Sequence, residues 1–388
     1  MVPYEIWPIG INEMKKSPKI AIDALGVNEF GGARSVTLPL LKKVFVLKKD
    51  WQFYCYLSAY EKEIDLPNVT QIIFPLSKGL LSRLIFQLIV PFLTIIYKID
   101  ITHFIKSQAS LTFMSKKILT IYDCTILKFP EYFKKSSRFF WRHLQPIFIS
   151  RMDQIITISN NAKSELIEFL NVNSEKITVI YPSSQFDSHI LQFSIKFSDL
   201  KNKYGLRNDY LLYIGQIGLK KNLMTLVKAY HAIKKVRSCF PPLFLVGPRY
   251  YLSDGGEIFE AINALDLVND IFYLGPLPEN ELYVMLDFAS ILLFPSVHEG
   301  FGLPMLEAMQ LGTPVIASNI SVMPEVLQDA GVFVDDYLNP TAWAETIVKL
   351  HDSSRDKKFY SQKGIARAKS FSWDTSAKQL IKVYERLL

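Results

Sequence analysis

The residues with the most chemical promise lie in the run SVHEGFGLPMLEAM, residues 296–309. The preceding SILLFPS reads as a buried strand, and Pro304 suits the first turn of a helix that would end near Gly312. A strand, a glycine-bearing turn and a helix N-terminus, in that order, offer backbone N–H groups and the positive end of a dipole to a phosphate. Glu299 lies in the turn, and Glu307 follows one turn into the helix with seven residues between them. Carboxylates beside an anion site repel the ligand unless something rewards them. Ribose or hexose hydroxyls would do so, because a carboxylate accepts two hydrogen bonds from a vicinal diol. The same side chains read equally well as a solvent-facing loop charge and a first-turn dipole partner.

A second turn of this kind occurs in YIGQIGLKKNL, residues 213–223. A strand runs into Gly215, and a helix follows Asn222, which is expected to be its N-cap. Lys220 and Lys221 oppose the helix dipole there unless a pyrophosphate sits between them and it. Taken alone, GxxKKN is as readily a solvated basic turn. Its pairing with an acidic turn about 80 residues later, in the same predicted sheet, raises its weight.

Positioning these turns requires parallel sheets. Apolar, β-rich pieces recur at Ile20–Leu25, Phe53–Leu57, Thr70–Phe74, Ile101–Ile105, Ile118–Tyr122, Ile155–Ile158 and Ile177–Tyr181. From Tyr210 the series continues as YLLYIGQI, PLFLVGP, IFYLGPL, SILLFPS, PVIASN and GVFVDD. Near-continuous apolar strands alternating with helical patterns imply parallel sheets covered on both faces. With right-handed crossovers, the expected fold is α/β: two Rossmann-like, doubly wound domains facing a cleft at the carboxyl ends of their strands. Residues 1–187 would form the first domain and 188–372 the second, with Ser183–Asn208 as connection and entry.

The motifs also carry a resemblance. EGFGLPMLEAM, with Glu299 and Glu307, resembles the E-x7-E motif of glycosyltransferase family 4, and LLYIGQIGLKKNLMTLVKAY resembles that family's G–x–RKN segment. The similarity runs over almost the whole chain, including KIAIDALGVNEFGGARSVTLPLL, LFLVGPR, FYLGPLPENELYVMLDFASILLFPS, TPVIASNISVMPEVLQDAGVFVD and FSWDTSAKQLIKVYERLL. It implies a retaining, metal-independent hexosyltransferase of the GT-B fold, similar to bacterial mannosyl- and group 1 glycosyltransferases. Glu307 would hold the ribose and Glu299 the donor hexose, while Lys220 and Lys221 neutralise the pyrophosphate. Backbone amides of Phe301, Gly302 and Leu303, with the Gly31-Gly32 turn, would contact phosphate or sugar. Leu277 would touch the base, and a last helix, 373–388, would cross back onto the first domain. The family's strand ending in His-Asp appears here as LTIYDC, so Tyr122 stands where a histidine is usual. A phenol can donate a hydrogen bond to phosphate but carries no positive charge. His103 is a weaker candidate for a second family histidine. Retention with no obvious nucleophilic carboxylate favours a front-face route, in which Lys220, Lys221 and helix N-termini stabilise the departing diphosphate.

Composition sets the remaining bounds. With 388 residues, 49% apolar, there is material for two cores. Cys55, Cys124 and Cys239 are too few and too scattered for a disulfide framework or zinc site, which fits a reducing, cytoplasmic setting. No DxD-like pair is placed at a phosphate turn, and Asp335-Asp336 is the nearest cluster, so no metal or cofactor is expected. Residues 80–97, LLSRLIFQLIVPFLTIIY, are interrupted by Arg83, Gln87 and Pro91 and read as buried helix rather than a membrane span. The first 185 residues carry a net charge of +8 and the remainder −1. The basic, aromatic run YFKKSSRFFWRH, with Lys134, Lys135, Arg138 and Arg142, would suit an undecaprenyl-diphosphate-linked or other glycan acceptor at an anionic inner-membrane surface. An ordinary solvated amphipathic helix is the alternative. A nucleotide-sugar donor is the expected partner, and nothing implies nucleic acid. Competing functions are a non-catalytic nucleotide-sugar-binding partner subunit, which the Tyr122 replacement favours, and a nucleotide-sugar epimerase.

Overall fold

After Lys19, the residues of KIAID have the apolar bulk or short chain needed to sit inside a parallel sheet, and strand β1 (Lys19–Asp23) is buried through its last four positions. The computed structural model describes residues 17–25, 27, 32–74, 80–105, 109, 114–184, 195–249 and 255–388. Around β1 run β2 (Gln52–Leu57), β3 (Val69–Ile73), β4 (Ile101–Phe104), β5 (Lys116–Thr120), β6 (Gln154–Thr157) and β7 (Ile177–Val179), in the order β3-β2-β1-β4-β5-β6-β7, all parallel. The second sheet comprises β8 (Leu211–Ile214), β9 (Leu243–Val246), β10 (Ile271–Gly275), β11 (Ile291–Phe294), β12 (Val315–Ser318) and β13 (Val332–Val334), ordered β10-β9-β8-β11-β12-β13 and also parallel. Each sheet reverses its order once, between β1 and β4 and between β8 and β11. Ligands of open α/β sheets bind beyond the carboxyl ends of such switch strands.

Each sheet is covered on both faces. Helix Gly32–Leu47 packs on one face of the first sheet with the chain's final helix, Trp373–Leu387, which buries Ala377, Leu380, Val383 and Tyr384 there. His103 is spent on this contact. Its Nδ1 lies 2.8 Å from the Tyr384 hydroxyl and its Nε2 2.8 Å from Thr120 Oγ1, and burial lowers its pKa to about 3. The chain thus passes between the domains twice, and the two crossings bond to each other. Ser183 Oγ donates to the Phe371 carbonyl at 3.1 Å, and Trp373 Nε1 donates to the Ser184 carbonyl at 2.9 Å.

The apolar stretch 80–97 departs from expectation. It forms a single helix, Leu80–Ile96, which buries Phe86 and Val90 on the opposite face of the first sheet but exposes Leu88, Phe92, Ile95 and Ile96. One helix on a sheet can bury only one stripe, and this one is apolar on both sides. No helix among the described residues is long and apolar enough to cross a membrane.

Candidate donor site and domain interface

The second sheet brings the two sequence turns together at its switch point. Past β8 the chain bends at Gly215, with φ +155°, and crosses closely over Gly247, where an added Cβ would fall 2.1 Å from the Gly215 carbonyl oxygen. It then makes a short 3-10 turn, Leu219–Lys221, and enters helix Leu223–Val236. Asn222 occupies the N-cap position in a left-handed conformation but makes no capping bond, contrary to expectation. Its amide donates to the Tyr337 carbonyl and its oxygen accepts from Thr225, so the side chain ties the turn to the neighbouring loop instead.

Past β11, Gly302 takes φ +87° immediately before helix Leu303–Leu311, with Pro304 in its first turn and Gly312 closing it. Among the described residues, the amide N–H groups of Phe301, Gly302 and Leu303 find no protein acceptor. The loops are joined by Val297 N–H donating to the Lys220 carbonyl at 3.0 Å and by an ion pair between Lys221 Nζ and Glu299 Oε1. Both charged side chains are nearly buried. Burial works against the Glu299 carboxylate, yet Lys221 and Lys220 outweigh it and hold it below its ordinary range. Burial lowers Lys221, partly offset by Glu299.

Glu307 contrasts with Glu299. It is 8% exposed, has no hydrogen-bond partner among the described residues, and is pushed up to about 7 by burial and then by Glu279. A buried carboxylate without a partner is costly unless a ligand completes it. Leu277, just past β10, is partly buried against the same core. Gly32 opens helix Gly32–Leu47, and Gly31 lies outside the described residues. Lys134, Lys135, Arg138 and Arg142 sit on Lys135–Phe139 and the flanking turns, making no ion pair among the described residues. Asp335 and Asp336 accept from Asn319 and Asn339, and no group of three metal-ligating side chains occurs among the described residues.

The first domain meets the acidic turn directly. Tyr122 follows β5, and its hydroxyl is 2.6 Å from Thr37 Oγ1, with burial pushing the phenol up to about 12. Ser159 Oγ donates to the Gly300 carbonyl at 2.9 Å. Three further groups at this interface were not singled out in the sequence. His298, fully buried beside Glu299, reaches Thr125 Oγ1 at 2.9 Å and Glu165 Oε1 at 2.7 Å. Lys128 joins the same carboxylate. Glu325 accepts from the backbone N–H groups of Asn160 at 2.7 Å and Asn161 at 2.8 Å, at the start of helix Asn160–Leu170, and from the Tyr181 hydroxyl. That helix has no acid in its first turn, so Glu325 supplies one from the other domain. An open helix N-terminus in SNNAKSEL is the one sequence signal that could have pointed here.

Gly300 fits this interface because it lacks a side chain. An added Cβ would lie 2.8 Å from the Tyr122 carbonyl oxygen, a backbone atom that cannot swing away. Gly300→Ala should therefore hold the domains apart and lower kcat roughly ten- to a hundredfold, the usual penalty of a misplacement near 1 Å. Nucleotide affinity, expected from the turns of the second domain alone, should change little. Steady-state kinetics beside calorimetric titration would check this, and an unchanged kcat would remove Gly300 from the closing contact.

Comparison with known proteins identifies the family. The family described as Glycosyl transferases group 1 matches residues 196–367, and Glycosyltransferase Family 4 matches 48–183. O-antigen chain mannosyltransferase B of Escherichia coli is 30% identical over 278 residues, covering 71% of each chain. The chain belongs to the group 1 glycosyltransferases. O-antigen chain mannosyltransferase RfbU of Salmonella typhimurium is also 30% identical, covering 62% of this transferase and 63% of its own length. Among solved structures, Anabaena HepE in complex with UDP and glucose superposes with a TM-score of 0.72 at 18% identity, over 95% of the transferase and 100% of that chain. The fold is GT-B: two parallel-sheet domains meeting at a cleft.

Proposed function

We propose that the transferase moves a hexose from a nucleoside diphosphate sugar, GDP-mannose or a UDP-sugar, to a glycan or undecaprenyl-diphosphate-linked acceptor during surface polysaccharide synthesis, with retention and without metal. The observation that carries this reading is the buried, unpartnered Glu307 beside a helix N-terminus whose first amides are unpaired. A diol and a diphosphate satisfy those two features together. Glu307 would accept from the ribose hydroxyls. Phe301, Gly302 and Leu303 would donate backbone N–H to phosphate oxygens, and the Gly31-Gly32 turn would contact phosphate or sugar. Lys220 and Lys221 would neutralise the pyrophosphate, and Leu277 would lie against the base. Once Lys221 turns to phosphate, Glu299 is free to accept from hexose hydroxyls. The departing β-phosphate oxygen would take the acceptor proton on the sugar's front face while the lysines hold the growing charge. Tyr122 would contribute only as a neutral donor. The names of the mannosyltransferase relatives and the UDP complex of HepE support a nucleotide-sugar donor. The basic run with Lys134, Lys135, Arg138 and Arg142 supports a peripheral position on an anionic inner-membrane surface.

The decisive experiment is a thermal-shift and hydrolysis screen across GDP-, UDP- and dTDP-sugars. A single preferred donor is expected, and no shift with any of them would overturn the reading. Turnover should survive EDTA, because the lysines and amides replace the cation. A strict Mg²⁺ or Mn²⁺ requirement would reject that part alone.

A further inference from the structure

From the helix Leu80–Ile96 we infer that the first domain docks on an anionic lipid bilayer by burying an apolar stripe in it, not by charge alone. Leu88, Phe92, Ile95 and Ile96 recur at i, i+4, i+7 and i+8 and are between 55% and 68% exposed. Natural monomers seldom leave such a row in water unless something covers it. The same layer holds the segment Lys135–Ser150, because Phe86 and Val90 of the helix and Ile149 of that segment join one core on one face of the first sheet. Their outward faces therefore look the same way. Phe139 and Ile147 add exposed apolar surface there.

Charge selects the occupant. Lys98, just past the end of the helix, and Lys134, Lys135, Arg138, Arg142 and Arg151 make no ion pair among the described residues, and the segment Lys135–Ser150 carries no acid, the exposed Glu131 lying just before it. Apolar side chains flanked by unpaired cations match an acyl boundary beneath anionic headgroups. A second copy docking through the same face would bring these cations together and repel. This inference extends the membrane reading above from the basic run to a second, hydrophobic element, and it does not depend on the donor.

The test is sedimentation of the full chain with vesicles of equal parts phosphatidylglycerol and phosphatidylcholine, beside nucleotide-sugar titration without vesicles. The parent should bind, and part of the binding should survive about 0.5 M salt, which screens the cations. Phe92→Ser with Ile96→Ser should lower vesicle partitioning at least about tenfold and remove the salt-resistant part. Nucleotide-sugar affinity should stay as in the parent. As an independent measurement, an environment-sensitive dye on Phe92→Cys, in a Cys239→Ser background, should shift to the blue only when vesicles are added. Vesicle binding unchanged by the double substitution, or a dye that stays in water, would overturn the inference. So would a dye already shielded without lipid in a dimer that the substitutions split, since a second copy would then own the face. Loss of nucleotide-sugar binding by the parent would instead reject the donor reading and leave the vesicle result standing.

Discussion

Glu307→Gln should make the unliganded transferase more stable at pH 8 than its parent, while weakening nucleotide-sugar binding. The folded Glu307 titrates at about 7 against an ordinary value of 4.5. Below 4.5 both folded and unfolded chains hold the proton, and ionisation adds no penalty. Between 4.5 and 7 the unfolded chain releases it and the folded chain does not, so stability falls as pH rises through that window. At pH 8 the accumulated penalty is about 3 kcal/mol. Glutamine never ionises, so the gap in urea midpoint between variant and parent should be near zero at pH 4.5 and open progressively to pH 8. Binding should follow the reverse logic. Hydroxyl donors favour the ionised carboxylate, so parent affinity should drop as pH falls below 7. The variant should be flat and, at pH 8, roughly ten- to a hundredfold weaker, the loss of a charge-assisted bond. A nucleotide sugar is the right probe, because its pyrophosphate diester does not titrate in this range. Parallel pH slopes for the two proteins would sink the assignment.

Lys221→Ala should damage the free protein and the reaction by different routes. It strands Glu299, whose side chain is only 13% exposed, without its ion-pair partner. Breaking such a pair costs about 3 kcal/mol even with Lys220 nearby. Glu299→Gln added to Lys221→Ala should return most of that stability, because no uncompensated charge remains. Activity should not return. Without the lysine, charge building on the leaving diphosphate is less well held, and kcat/KM should fall roughly a hundred- to a thousandfold in both single and double variants. Denaturation midpoints and steady-state rates across the four-member cycle would check this. Strictly additive stability changes would mean the pair does not matter to the free protein.

What was legible in the sequence was local. Gly215, Gly302, Pro304 and Gly312 set backbone geometry within a few residues of themselves, and the apolar strands announced two parallel sheets. The turns with Lys221 and Glu299 could therefore be placed at strand ends, though not their mutual ion pair. What escaped depends on separation in sequence. His298 and Glu165 are 133 residues apart, and Glu325 reaches Asn160 across 165. Such bonds follow from how the domains meet, which no local pattern encodes. Asn222 misled because its N-cap position was right while its side chain had better partners in Tyr337 and Thr225. The helix Leu80–Ile96 departs from the buried helix its sequence predicts because hydrophobicity does not by itself bring burial, and only one of its two apolar faces touches the sheet.

The paired crossings between the domains have a mechanical consequence. A single connecting strand would let one domain swing and twist freely on the other. Here residues 181–184 and 371–373 run side by side and are stitched by Ser183 and Trp373, so they behave as one ribbon with two anchored edges. Such a ribbon bends readily about the line joining its edges and resists rotation about its length. Any motion of the two halves should therefore favour one angular coordinate, like a cover on adjacent knuckles. Each return along it would bring Gly300 back to the same carbonyl of Tyr122.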